Sequence, residues 1–193
     1  MRKIGAIILT SFVFFGACGQ KTNEKIESTN SKEVLNSKLK IGDIAPLFKT
    51  TGALAGKEYS LNLAEKLQNG PVVLYFFPKV FTPGCTAEAH EFAEKTAEFE
   101  KLGATIIGMS GDDIDGLKKF SKEECRDKFA VAMASPEIIK SYNVGLDPLN
   151  KMANRTSFVI AQDGTIKFIH SDMDYKNHVK LSYEAVKALK EAK

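Results

Sequence analysis

The run PVVLYFF (residues 71–77) restricts the fold more than any other stretch of this 193-residue chain. Its residues offer no polar face and are rich in β-branched and aromatic types, so it predicts a strand covered on both sides. ATIIGMS (residues 104–110) reads the same way, and AVAMA (residues 130–134) and TSFVIA (residues 156–161) add two more. After the last of these, Asp163-Gly164 predicts a hairpin into a further strand. Strands buried on both faces need helices above and below them. In residues 85–102 the apolar Ala89, Phe92, Ala93, Ala97 and Phe99 recur mostly at steps of three and four. Residues 114–124 and 175–190 follow similar patterns, the latter through Val179, Tyr183, Val186 and Leu189.

Strands alternating with helices, then a closing hairpin and a C-terminal helix, predict an α/β three-layer sandwich around a mixed sheet. That order matches a thioredoxin-like fold, and fold alone does not fix function. The N-terminus is organised differently. A basic start, the apolar residues 4–15 and small residues before Cys18 make a segment shorter than the about 18–20 residues of a membrane span. Residues 1–17 read as an export signal, and their small-small-Cys ending resembles a bacterial lipoprotein signal. The resemblance implies lipidation of Cys18 and a protein anchored at the periplasmic side of the cell envelope. Residues 18–40 lack aromatic residues and periodicity, which predicts a flexible tether. The folded domain is expected over residues 41–193.

Charge excludes one class of partner. Without Arg2 and Lys3 the chain carries 25 basic residues against 24 acidic ones. It has no basic run and no interleaving of basic with aromatic residues, so nothing points to nucleic acid.

Cys85 stands where the strand of residues 71–77 gives way to a helix. In a first helical turn the unpaired N–H groups and the helix dipole favour an anion, and the thiolate is the nucleophilic form of cysteine. Pro83 suits that turn because its missing N–H would have no partner there. Gly84 lets another molecule approach the backbone closely. Pro78 ends the strand and gives the pocket a rigid wall, and Thr82 offers a hydroxyl three residues before the sulfur. A buried cysteine acting as a small hydrophobe is the bland alternative.

The sequence PKVFTPGCTAE sets Pro78, Thr82 and Cys85 in the pattern Pro-x-x-x-Thr-x-x-Cys. This resembles the active-site loop of the peroxiredoxins, and Gly-Cys-Thr followed by a glutamate looks most like their bacterioferritin-comigratory or peroxiredoxin Q branch. IGDIAPLF, IIGMSGDD and NRTSFVIAQDGTI extend the likeness over most of the domain. The resemblance implies a thiol-dependent peroxidase acting on hydrogen peroxide and organic hydroperoxides, with no metal or organic cofactor. Cys85 would attack the O–O bond and become a sulfenic acid. Thr82 would hydrogen-bond the peroxide, and Arg155 would stabilise the thiolate and the charge developing on oxygen. A thioredoxin-like or other thiol reductant would close the cycle, and the domain could be a monomer or a dimer.

Many peroxiredoxin Q relatives carry a resolving cysteine five residues after the first, where this chain has His90. Others carry it on the next helix, so the resemblance makes Cys125 the candidate for an intramolecular disulfide. Its neighbours, KEECRDK, predict an exposed, easily opened turn. A one-cysteine peroxidase with Cys125 as a structural thiol stays open.

Two other readings compete. A thiol-disulfide oxidoreductase needs a second cysteine close after Cys85, where Ala87 and Glu88 stand. A tethered redox sensor or binding module would not turn over peroxide. His90, His170 and His178 show no metal-ligand spacing, and His90 reads as a partly exposed surface residue. Asp112, Asp113 and Asp115 read as a turn and helix start rather than a calcium loop.

Overall fold

The computed structural model describes residues 38–192. The expected signal segment, Cys18 and all but the last three residues of the tether lie outside the described residues. Within those three, half-buried Leu39 already packs against the core.

Seven strands form one sheet in the order β2-β1-β5-β4-β3-β6-β7. They are β1 (Lys49–Leu54), β2 (Lys57–Asn62), β3 (Val72–Phe76), β4 (Thr105–Ser110), β5 (Ala130–Met133), β6 (Thr156–Ile160) and β7 (Ile166–Ser171). β3, β4 and β5 run parallel, while β6 pairs antiparallel with β3, so the sheet is mixed as expected. The helices are α1 (Leu63–Gln68), α2 (Pro83–Lys101), α3 (Ile114–Glu123), α4 (Pro136–Ser141) and α5 (His178–Glu191).

β3 explains the layering. All five of its residues are buried, and alternate side chains enter different cores because strand side chains alternate in direction. Val73 and Tyr75, continued by Phe77, meet Phe92 of α2, Phe120 of α3 and Val186 of α5. Val72, Leu74 and Phe76 meet Leu63 of α1, Ile139 of α4 and Phe158 of β6. A three-layer α/β sandwich results, because a strand without a polar face must be covered on both sides.

β1, β2, α1 and α4 are absent from the sequence reading. β1 and β2 form the edge hairpin, and most of their residues remain at least partly exposed, so no buried run marks them. Their two-residue turn, Ala55 and Gly56, has positive φ at both positions, the geometry that matches strand twist. α1 and α4 have six residues each, too short to show a helical repeat. The helix expected over residues 175–190 begins as a 3-10 turn at Tyr175–Asn177 and becomes α-helical at His178.

The turn around Cys125 corrects another expectation. Lys122, Glu123 and residues 126–128 are exposed as predicted, but Cys125 itself is wholly buried in the core beside α2 and α3. Arg126 and Asp127 both take positive φ and turn the chain sharply, which leaves the charges outside and the thiol inside. The segment is also tied to α2 on both flanks. His90 Nε2 lies 2.6 Å from Glu124 Oε2, and Arg126 Nη1 donates to Glu94 Oε1 at 3.3 Å.

Candidate active site

The loop joining β3 to α2 is held at several points. The Phe77 N–H donates to the Met109 carbonyl at 3.0 Å, and the Val80 N–H donates to Asp112 Oδ2 at 2.9 Å. Asp112 also accepts from Ser110 Oγ at 2.6 Å, while Asp113 caps α3 by accepting from the Gly116 N–H. The acidic cluster is therefore a turn and a helix start, as its sequence suggested. Phe81 takes φ 58°, an unfavourable backbone geometry for a bulky residue, and its ring packs edge-on against Phe120.

Thr82 is the N-cap of α2, and Pro83 fills the first helical position. The Thr82 hydroxyl does not cap the helix. It donates instead to the Lys79 carbonyl at 3.1 Å. The first intrahelical bond runs from the Thr86 N–H to the Thr82 carbonyl, which leaves the Gly84 and Cys85 N–H groups without an intrahelical acceptor. Pro78 is half-buried where the strand ends.

The sulfur of Cys85 is buried beside a guanidinium. Arg155, the residue before β6, is 4% exposed, and its Nη2 donates to Cys85 Sγ at 3.5 Å. Seventy residues apart in sequence, the two meet because β6 lies directly beside β3. Arg155 Nε donates to the Met173 carbonyl at 3.0 Å, and Nη1 donates to Glu88 Oε2. A Cβ at Gly84 would lie 3.2 Å from Arg155 Nη2, so the glycine clears the space in which the guanidinium reaches the sulfur. Arg155 is thus a core residue with three fixed partners and not a solubilising surface charge.

Glu88 and His178 belong to this cluster, and sequence reasoning missed both. Glu88 lies three residues after Cys85 on one face of α2, wholly buried, and its spacing was the available signal. Burial pushes its carboxyl up to about 8, against the opposing pull of Arg155. His178, the first residue of α5, is also wholly buried. Its Nδ1 lies 2.8 Å from Ser157 Oγ and 3.7 Å from Glu88 Oε1. Burial lowers its imidazole to about 4.

Tyr75 stands on the β3 side of the same space, its ring stacked 4.4 Å from Phe92. Burial raises its hydroxyl well above the usual range, with Cys125, Glu88 and Cys85 adding to the effect and Arg155 opposing it. Cys125 shares the apolar core with Cys85, and burial likewise raises its thiol. Both cysteines are free. The arrangement offers a thiol at a helix start, a fixed cation against the sulfur, and a buried carboxyl and imidazole behind the cation.

Comparison with known proteins agrees with this geometry. The profile of the AhpC/TSA family matches residues 41–169. A chloroplastic peroxiredoxin Q from Populus jackii is 32% identical over 152 residues, covering 78% of this chain and 70% of the relative. Chloroplastic peroxiredoxin Q from Oryza sativa subsp. japonica is 32% identical over 75% of this chain, which spans 65% of that relative's length. Peroxiredoxin Bcp of Escherichia coli (strain K12) is 29% identical, covering 72% of this chain and 90% of the relative. Among solved structures, peroxidoxin BcpB from Mycobacterium tuberculosis superposes with a TM-score of 0.71 at 28% identity, covering 78% of this chain and 98% of that one.

Proposed function

Because the chain belongs to the AhpC/TSA family, we propose that it is a thiol-dependent peroxidase in which Cys85 reduces hydrogen peroxide and organic hydroperoxides. The observation that carries this reading is the buried Arg155 Nη2 at 3.5 Å from Cys85 Sγ, at the first turn of α2. A cation fixed there stays in place to meet charge that develops on oxygen.

The reaction follows from these contacts. The Cys85 thiolate attacks the terminal oxygen of the hydroperoxide, an S–O bond forms and the O–O bond breaks. The leaving oxygen departs with the bonding electron pair and takes up a proton as water or alcohol, while Cys85 is oxidised to the sulfenic acid. Arg155 and the Gly84 and Cys85 N–H groups face the forming charge. Thr82 turns its hydroxyl from the Lys79 carbonyl to the bound peroxide.

In the second step Cys125 attacks the sulfenic sulfur, a disulfide forms and water leaves. An external dithiol of thioredoxin-like chemistry then reduces the disulfide by exchange. In this reading the turn at residues 124–128, charged and largely exposed around the buried Cys125, opens to bring the sulfurs together. That same burial favours a second reading, in which Cys125 stays a structural thiol and an external thiol resolves Cys85 directly. Upstream, the proposal includes lipidation of Cys18 and anchorage at the envelope. Mass spectrometry of the mature N-terminus tests it, and an unmodified Cys18 would argue against it.

Peroxide consumption with a supplied dithiol tests the central reading. Cys85→Ser should abolish consumption, and normal turnover by that variant would sink the assignment. Cys125→Ser should leave a sulfenic acid at Cys85 that reacts with a carbon nucleophile. If wild-type protein accumulates the same adduct, the one-cysteine reading holds.

A further inference from the structure

His178 takes no part in the reaction above, yet it is wholly buried and its protonation is set by its neighbours. Its Nε2 lies 2.9 Å from the backbone carbonyl of Asp172, an acceptor only, so Nε2 carries the hydrogen. In the neutral ring Nδ1 is then an acceptor, and the Ser157 hydroxyl donates to it at 2.8 Å. Beyond Nδ1, at 3.7 Å, stands Glu88 Oε1, which has no hydrogen-bond partner among the described residues. Oε1 is thus a buried acceptor without a donor, and a proton on it, which can turn to Nδ1 in place of the Ser157 hydroxyl, relieves the mismatch.

A charge count leads to the same point. With Cys85 and Glu88 both ionised, the single guanidinium of Arg155 would face two anions in a buried site, and burial strongly disfavours that excess charge. One proton on Glu88 or His178 makes the cluster neutral while the sulfur remains a thiolate.

Resting on the reading of Cys85 as the reacting thiol, we propose that Glu88 and His178 hold one proton in common and that His178 is a positioning residue. It keeps the proton beside Glu88 Oε1, so that Arg155 serves the sulfur and is not shared with a second anion. At neutral pH the proton resides on Glu88, because burial raises the carboxyl to about 8 and lowers the imidazole to about 4. The other charged or titratable groups around the pair are consistent with this. His178 faces His170 of β7, with ring centroids 4.5 Å apart, and also Arg155 and Asp172. Glu88 faces Arg155, Glu91 on its own helix and Tyr75 of β3. As pH rises and the proton leaves, Glu88 competes with the sulfur for Arg155.

Two variants and two readouts test the proposal. In Glu88→Gln the side-chain carbonyl can accept from Arg155 Nη1 while its NH2 points at His178 Nδ1, a permanent imitation of the protonated acid. His178→Gln keeps a donor for the Asp172 carbonyl and removes Nδ1. The rate of Cys85 oxidation by hydrogen peroxide, followed by stopped flow across pH, should decline in wild type as pH rises through about 8. Glu88→Gln should lack that decline, whatever its plateau rate. His178→Gln should move it to lower pH by about one unit, and should move nothing in the Glu88→Gln background. A decline that persists in Glu88→Gln, or an equal rate change at every pH in His178→Gln, would overturn the proposal.

The second readout is infrared spectroscopy of the resting protein, which needs no turnover. A protonated-carboxyl band should be present at neutral pH, vanish as pH rises through about 8, and shift or disappear in either variant. Peroxide consumption without that band overturns the shared proton alone. The band without peroxide consumption overturns the peroxidase reading and leaves the proton pair standing.

Discussion

At the scale of single residues, contacts of a few tenths of an ångström decide whether Arg155 reaches Cys85. Gly84 is the sharpest case, because an added methyl would meet the guanidinium at 3.2 Å while Tyr175 stands 3.9 Å away on another side. Gly84→Ala should therefore fold normally, since alanine is the better helix former, and push Nη2 away from the sulfur. Loss of one charge-stabilising donor slows such reactions by about a hundredfold, and partial displacement should cost at least about tenfold. Stopped-flow oxidation measures this, and an unchanged rate would mean that the 3.5 Å contact does not matter. Thr82→Val keeps the shape and removes the hydroxyl. It should also slow peroxide reaction without lowering the unfolding temperature much, because the bond lost is a half-exposed one to Lys79. Thr82 and Cys85 could be singled out from spacing alone, because a strand-loop-helix junction brings nearby residues together. Glu88, three residues after Cys85, shared that local spacing, but its role, like that of His178, is defined by burial against Arg155, Ser157 and Asp172, residues brought together only by the fold.

Among the elements, β3 carries the most information and the tightest fit. Tyr75 points into the α2 and α3 side of the sheet, and its ring occupies the space above the neighbouring strand at Gly108. A Cβ at Gly108 would fall 2.9 Å from the tyrosine ring and hydroxyl, well inside contact distance. Gly108→Ala must shift either the ring or β4, and overpacking of this kind costs about 1–3 kcal/mol. Thermal unfolding should show the loss, and Tyr75→Phe should not rescue it fully because a ring carbon is also in contact. The buried run of β3 and most of the three-and-four spacing of α2 were legible because long elements with one environment repeat their pattern, although Ala97 of the expected stripe is exposed and Thr96 is buried instead. The edge hairpin β1–β2 was not, since strands with mostly exposed residues leave little apolar trace. Cys125 shows the opposite failure. Charged neighbours suggested exposure, but two residues with positive φ rotate the cysteine inward while the charges stay outside.

For the whole molecule, the buried cluster should shape stability against pH. His178 ionises in the unfolded chain near the usual histidine value but only at about 4 when folded, so folding favours its neutral form. Its contribution is present above about pH 6.5 and is lost as pH falls through about 4, on the order of 3 kcal/mol in total. Glu88 acts in the other direction. Its folded carboxyl keeps the proton up to about 8, so stability present below the usual carboxylate range is lost as pH rises through about 8. Between about pH 4.5 and 6.5 the two slopes oppose and cancel, so stability from the pair is level there, and from about pH 6.5 to 8 the Glu88 loss acts alone. Urea midpoints should therefore stay level from about pH 4.5 to 6.5 and fall from there to about pH 8, and Glu88→Gln should remove that alkaline fall. A midpoint that climbs steadily from pH 6 to pH 8 would contradict the burial that the structure gives Glu88. The measurement closest to the central claim is time-resolved peptide mapping after reduced protein meets one equivalent of hydrogen peroxide. At the earliest times Cys85 alone should resist alkylation, and later Cys85 and Cys125 should be recovered in one disulfide-linked peptide. Peroxide consumed while Cys85 stays fully alkylatable would contradict the account at its root.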